Sequence, residues 1–384
     1  MRRLLFLVAF LSLPLLGQEP VTLQLDSRIL GETRTILVRT PASYASGARA
    51  YPVLYMTDGD RQLPHTAATT DFLSREGRMP EVILVGISNT DRTRDLTPTH
   101  VETLLQDGRT LRFPTSGGGE KFLTFMETEL IPHIERSYRT EPYRLFAGHS
   151  FGGLLALQAL FTRPRLFNGI IAASPALLWD DRWAVRHATE LLGKTKELNA
   201  TLFVSVGDEG EALDREFRAL QSLLKRRAPK GFQFEAVKFG EEDHGSVVMP
   251  THYAGLRKVF ADWRFPLTGD VKTLYPRARD HFAKLSKRAG YAVPVPELTA
   301  NFIGYQLLQQ GHVADAIEVF RANVTAYPAS ANVHDSLGEA YEQAGDRERA
   351  RESYTRAAEI GKRINDPNTS IYERNAARVG GAGR

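Results

Sequence analysis

A nucleophile motif stands near the middle of the chain. Tyr143-Arg144-Leu145-Phe146-Ala147-Gly148-His149-Ser150-Phe151-Gly152-Gly153 reads as a short apolar strand, then Gly-x-Ser-x-Gly, then an apolar helix from Leu154 to Arg163. In this strand–turn–helix context a serine is forced onto a sharp turn, with its hydroxyl exposed above a sheet. The glycines flanking Ser150 fit because a Cβ there would collide with the turn and the neighbouring strand. A free serine hydroxyl is a weak nucleophile. The chemistry therefore also needs a base, an acid to orient that base, and oxyanion donors. The bland alternative is a Gly/Ser-rich turn, and the strand and helix on either side argue against it.

In serine hydrolases built on this turn the acid and then the histidine follow the serine in the chain. Between Ser150 and residue 265 the histidines are His187, His244 and His252. His187 sits in a polar helical stretch and reads as a surface residue. His252 follows Pro250 and Thr251 at the start of a helix running toward Trp263. His244 is better placed. It follows the strand-like segment Phe232–Phe239 and an acidic turn, and it directly precedes Gly245 and Ser246. The acid is expected after the strand Thr201–Val206, in the turn Gly207-Asp208-Glu209-Gly210-Glu211. A buried carboxylate there would hold the imidazole in the right tautomer. Asp208, Glu209, Glu211 and Asp214 all compete for that role.

With these residues in place the chain resembles esterases of the esterase D type within the α/β-hydrolase superfamily. Relatives there include enterochelin-type siderophore esterases, S-formylglutathione hydrolase, feruloyl esterases and mycolyltransferases. The resemblance spans about residues 20 to 265 and rests on several motifs. Arg34–Pro41 is similar to the family's early strand, and Tyr51–Gly59 to its oxyanion strand. Gly86–Pro98 is similar to a segment near its cleft, and Asp243–Pro250 to its histidine motif. The resemblance implies Ser150 as nucleophile, His244 as base, and an oxyanion hole from the backbone N–H groups of Phe151 and Asp60. Many relatives carry the acid three residues after the glycine matching Gly207, where this chain has Gly210. Other relatives have Gly-x-Glu-Gly, which matches Gly207–Gly210 and favours Glu209, with Glu211 second. A Ser–His dyad without a strong acid stays open.

The surrounding elements suit such a site. Strand candidates are Tyr51–Met56, Glu81–Ile87, Tyr143–Ala147, Asn168–Ala173, Thr201–Val206 and Phe232–Phe239. Helical patterns such as Glu120–Tyr138 lie between most of them. This alternation predicts a mostly parallel sheet with helices on both faces, the α/β-hydrolase fold that the resemblance implies. Asn89–Gly119 reads as a long polar loop, and loops of that length in a compact domain usually serve function. Within it, Arg92 and Arg94 are candidates to meet an acidic or catecholate substrate; the alternative is pairing with Asp91 and Asp95. Trp179 is a candidate cleft wall or a plain core residue. The glycines at 117–119 lack the Lys-Ser/Thr of a phosphate loop.

The bulk composition fits an exported enzyme. Residues 1–17 have a signal-peptide pattern: Arg2 and Arg3, an apolar run from Leu4 to Leu16, then Gly17. That run is too short for a stable membrane span, and no other apolar run approaches membrane length. The expected location is the periplasm or the medium. The chain has no cysteine, hence no disulfide or thiolate metal ligand. Its 49 Lys+Arg against 45 Asp+Glu give a net charge of +4 and no basic stripe for nucleic acid. No metal or organic cofactor is implied.

The domains read as 1–17 signal peptide, 18–265 hydrolase, 266–296 connector with a helix around Val271–Ala289, 297–364 repeats, and 365–384 a frayed tail. The repeat is explicit. Gly304, Leu307, Gly311, Ala316 and Phe320 recur 34 residues on as Gly338, Tyr341, Gly345, Ala350 and Tyr354. That period is the tetratricopeptide one. Two such repeats are few to stand alone, so they are expected to pack on the rest of the chain, another copy or a protein partner. The function expected is hydrolysis of a small-molecule carboxylic ester by Ser150, His244 and a carboxylate. Acyl transfer by the same residues, and a repeat-mediated interaction protein on a hydrolase scaffold, are the alternatives.

Overall fold

The computed structural model describes residues 19–45, 47–106 and 109–380. The expected signal peptide lies outside these residues. Among them no helix is long and apolar enough to cross a membrane. The chain divides into two compact units. One comprises the residues up to Pro41 together with Ala48–Arg264, and the other Ala42–Gly47 together with the chain from Phe265 onward.

The first unit is built on a sheet. In chain order its strands are β1 (Val21–Ser27), β2 (Glu32–Arg39), β3 (Tyr51–Thr57), β4 (Ile83–Ile87), β5 (Thr103–Gln106), β6 (Arg109–Arg112), β7 (Thr140–His149), β8 (Gly169–Ala173), β9 (Thr201–Val206) and β10 (Gln233–Lys238). Eight of them form one sheet in the order β1-β2-β4-β3-β7-β8-β9-β10. From β4 to β10 every pairing is parallel, and β1 and β2 join antiparallel at one edge. The inner strands β3, β4, β8 and β9 are buried along their whole length. That is why they read as continuous apolar runs rather than alternating ones. The edge strand β10 alternates, with one face toward water. Proline at position 52 has no N–H for the ladder, and the β3–β7 register shifts between Tyr51 and Val53.

The helices of this unit are α1 (Gly59–Arg75), α2 (Arg92–Leu96), α3 (Gly119–Phe125), α4 (Ile131–Ser137), α5 (Phe151–Thr162), α6 (Trp179–Lys194), α7 (Glu211–Arg227) and α8 (Val248–Val259). A π turn at Met126–Leu130 links α3 to α4, so the helix expected over 120–138 is continuous but locally widened. Helix α5 is buried from Gly152 to Phe161, and so it is apolar on every face. Helices α1 and α8 pack together, whereas α5 packs on β7, β8 and α6.

The stretch expected as a long loop, 89–119, is structured. It holds α2 and the β5–β6 hairpin, whose strands pair only with each other. Its glycines seal it: the N–H of Gly118 donates to Arg94 O at 2.8 Å and that of Gly119 to Thr97 O at 2.9 Å. A Cβ on Gly119 would lie 2.8 Å from that same Thr97 oxygen. Strand β1 is a further element beyond the expected set; its exposed, weakly alternating edge pattern gives little signal.

The second unit is all helical: α9 (Val271–Ala289), α10 (Glu297–Gln309), α11 (Val313–Ala326), α12 (Ala331–Gln343), α13 (Arg347–Ile364) and α14 (Thr369–Gly380). The α10–α11 and α12–α13 hairpins repeat each other's contacts. A Cβ on Gly304 would lie 2.5 Å from the Phe320 ring, and one on Gly338 2.7 Å from the Tyr354 ring. Both hairpins turn through a left-handed glycine, Gly311 at φ 79° and Gly345 at φ 78°. The tail differs from expectation. Residues 369–380 form α14 because Tyr372 is buried with Ala331, Ala357 and Ile360, an anchor that polar composition hides.

Candidate active site

The parallel strands deliver their chemistry at their C-terminal ends, as such sheets do. Ser150 follows β7 directly and has φ 61° and ψ −117°, a conformation costly for any residue with a side chain. Close packing enforces it. A Cβ on Gly148 would sit 2.1 Å from Gly152 O, and one on Gly152 would sit 2.2 Å from Thr57 Oγ1. The Ser150 backbone is tied across the sheet. Its N–H donates to Ala173 O at 2.9 Å, and its carbonyl accepts from Leu154 N–H at 2.9 Å and Ala176 N–H at 3.2 Å. The Ser150 side chain makes no hydrogen bond among the described residues.

His244 lies on the loop after β10, in a tight turn closed by Asp243. The Asp243 Oδ1 accepts from the N–H groups of Gly245 at 2.8 Å and Ser246 at 2.7 Å. The His244 Nδ1 is hydrogen-bonded to Glu209 Oε2. The other oxygen, Oε1, accepts from the Ser174 hydroxyl and from Gly207 N–H at 3.1 Å. Burial alone would raise the Glu209 carboxyl, but the hydrogen bonds from His244 and Ser174 outweigh it and hold it below the usual range. Glu209 stands in the turn after β9 and Ser174 in the turn after β8 at φ 37°. Glu211 is exposed at the first position of α7, without a hydrogen bond among the described residues. Asp208 and Asp214 both pair with Lys238, at 3.0 and 2.7 Å. Of the four acids that compete in the sequence, Glu209 is the one brought to His244.

The two expected oxyanion donors both lie at helix N-termini, where backbone N–H groups have no intrahelical partner. Phe151 is the first residue of α5, and Asp60 the second of α1. Neither N–H donates to a backbone carbonyl among the described residues. The two helix ends are neighbours, since a Cβ on Gly152 would touch Thr57 and Asp58. Asp58 caps this corner in a left-handed conformation, at φ 54°.

Arg92 does not pair with Asp91. It grips buried Asp58 with two bonds, 2.7 and 3.1 Å, and donates to His149 O at 3.0 Å. Asn89 donates to the same carboxylate at 2.6 Å. Arg94 does pair with Asp95, and also with Glu32, each at 2.7 Å. Arg34, fully buried beneath, meets the same two acids. Trp179 is 1% exposed. It packs edge-on against Phe151 and Phe113 with both centroids at 5.2 Å, and its indole N–H donates to Thr99 at 3.1 Å. It thus braces Phe151, the residue after Ser150, from inside the core.

The other two histidines are remote from Ser150 in role. His187 stacks on Trp183. His252 is buried in α8, its Nδ1 2.8 Å from Thr66 Oγ1. That hydroxyl donates to Gln62 O, so the His252 Nδ1 carries the hydrogen. Burial, with His65 and His149 nearby, pushes His252 down to about 3. Residue-by-residue reading of the sequence missed Asp58, Ser174 and His149 as parts of the site. His149 lies inside the Gly-x-Ser-x-Gly motif, Ser174 directly follows the strand predicted to end at Ala173, and Asp58 lies just beyond the one predicted to end at Met56, the positions where site residues gather.

A free hydroxyl on a strained turn, a carboxylate-oriented imidazole and two unpaired N–H groups suit acyl chemistry. Comparison with known proteins agrees. A family model described as "Putative esterase" matches residues 27–274. The ferri-bacillibactin esterase BesA of Bacillus subtilis is 30% identical over 247 residues, covering 58% of this chain and 83% of that protein. A siderophore enterobactin esterase of Emericella nidulans is 28% identical over 255 residues, covering 55% and 82%. The crystal structure of an IroE-like serine hydrolase from Shewanella oneidensis superposes with a TM-score of 0.70 at 31% identity, covering 79% of this chain and 99% of that one. This chain therefore belongs to that esterase family and is a carboxylic ester hydrolase.

Proposed function

We propose that the protein opens siderophore-type esters through an acyl-enzyme on Ser150. His244 takes the Ser150 proton at Nε2 as the hydroxyl attacks the ester carbonyl. Glu209 keeps the hydrogen on Nδ1 and stabilises the imidazolium that forms. The N–H groups of Phe151 and Asp60 receive the oxyanion. His244 then returns its proton to the leaving alcohol and activates a water that releases the acid. The observation that carries this reading is the His244–Glu209 contact, held by Ser174 on the same sheet edge as the Ser150 turn. Siderophore esterases among the relatives support the substrate class.

The test is product analysis by mass spectrometry with a catecholate trilactone, iron-free and iron-loaded, beside p-nitrophenyl esters of increasing acyl length. Wild type is expected to linearise the trilactone and Ser150→Ala to leave it intact. Turnover of the p-nitrophenyl esters alone would reject the siderophore class and keep the esterase. An added acceptor alcohol separates hydrolysis from acyl transfer. Two further readings belong here. The 34-residue repetition of contacts supports two tetratricopeptide repeats in α10–α13 as a surface for a partner. The pattern of residues 1–17 supports export to the periplasm or the medium.

A further inference from the structure

His149 touches the candidate base at two points. Its Nε2 lies 2.6 Å from the carbonyl oxygen of His244, and the two rings face each other at 4.6 Å with a 45° tilt. A carbonyl only accepts, so the hydrogen of His149 is on Nε2. The His244 side chain is 50% exposed. Glu209 fixes the direction of its ring through Nδ1, but nothing in that bond fixes how far the loop stands from β7. His149 supplies that link, because it is the last residue of β7 and directly precedes Ser150.

Resting on the Ser150–His244–Glu209 reading, we infer that His149 is a positioning residue: its hydrogen bond to the His244 carbonyl and its packing on the His244 ring set the spacing between base and nucleophile. Its own carbonyl is held in turn by Arg92, which is clamped by Asp58. Asp58, Arg92, His149 and His244 thus connect the end of β3, helix α2, the nucleophile turn and the loop after β10. Burial, then the charge of His244, push the His149 ring down to about 4. At neutral pH it is uncharged, and it adds no repulsion to the imidazolium that His244 becomes in each acylation.

The test compares His149→Leu, His149→Gln and Ser150→Ala on p-nitrophenyl acetate. Leucine removes the donor and the ring, whereas the glutamine amide keeps an N–H that reaches a carbonyl. His149→Leu is expected to lower kcat by about 10- to 100-fold with KM within about twofold, the signature of a displaced catalytic group. His149→Gln is expected to recover most of that loss. Wild-type kcat in the leucine variant, a loss confined to KM, or a glutamine variant as impaired as leucine would each overturn the proposal. An active Ser150→Ala would instead reject the underlying triad.

A second measurement needs no variant to be active. Nitrogen-15 NMR of the wild-type imidazoles should find His149 as the neutral Nε2–H tautomer from pH 5.5 to 8, its signal assigned by its absence in His149→Gln. An Nδ1–H tautomer or an imidazolium in that range overturns the proposal.

Discussion

Replacing Glu209 by glutamine tests the site most sharply, because the structure fixes which way the new amide must point. The two donors at Oε1, the Ser174 hydroxyl and Gly207 N–H, require an acceptor there. The glutamine carbonyl therefore takes that position, and its NH2 group faces His244 Nδ1. Two N–H groups cannot meet, so Nδ1 gives up its hydrogen and the ring adopts the Nε2–H tautomer. The Nε2 nitrogen, the base in the proposed mechanism, then has no lone pair to accept a proton. Loss of the base in this way costs about 10³- to 10⁴-fold in kcat, or about 4–5.5 kcal/mol of barrier. Glu209 lies behind His244 and is 11% exposed, so KM should stay within about twofold. The assay is steady-state p-nitrophenyl acetate hydrolysis, with circular dichroism to show that the variant is folded. A folded Glu209→Gln within about tenfold of wild-type kcat would refute the tautomer argument. So would a Glu209→Ala variant markedly worse than Glu209→Gln.

Other perturbations follow from contacts outside the proposed triad. Arg92→Met removes the main partner of a carboxylate buried to 4% exposure, and should cost about 3–5 kcal/mol in urea unfolding; a change below about 1 kcal/mol would deny Asp58 its place as a clamped charge. Buried His252 stays neutral when folded and takes up a proton below about pH 6.5 when unfolded. Its folded value is depressed, so stability is complete above pH 6.5 and is lost as pH falls toward 3. At pH 5 this one residue removes about 2 kcal/mol relative to pH 7. His252→Gln should flatten the pH dependence of the unfolding free energy between pH 7 and 5, and an unchanged slope would count against a buried neutral ring. Gly338→Leu forces a side chain into the Tyr354 ring, and should lower the melting temperature of the helical unit while Ser150 labelling by a fluorophosphonate probe persists. Loss of labelling would show that the first unit needs an intact second one.

What the sequence revealed and what it hid divide along physical lines. The inner strands β3, β4, β8 and β9 were legible because burial on both faces leaves a plain apolar run, as in Val204 and its neighbours in β9, and the edge strand β10 because it alternates. The helix at 271–289 was legible from its amphipathic spacing and its Gly290 stop. The β5–β6 hairpin is hidden because its four-residue strands are too short to show a period. Long-range pairs were invisible for a different reason. Arg92 has an acid beside it in the sequence, Asp91, yet bonds Asp58, 34 residues away. Asp91 is occupied instead in capping α2 through Arg94 N–H. Local charge neighbours mislead wherever a cap competes for the nearer carboxylate. Glu209 was favoured from a four-residue pattern, but Ser174, which holds it, is separated from it by α6 and β9, and no spacing rule relates them.

The self-paired hairpin has a consequence for how such a protein can diverge. Strands β5 and β6 share no ladder with the main sheet, so a change in their length or sequence leaves every register of that sheet intact. The Ser150 turn, by contrast, is held by glycines with no room for a Cβ and by main-chain bonds across the sheet. Phe113, at the foot of the hairpin, packs on Phe151 and Trp179 and is the joint between the two regimes. The molecule thus separates a tightly held turn at Ser150 from a hairpin that pairs only with itself. A change confined to the hairpin is therefore felt at the Ser150 turn only through the Phe113 contacts.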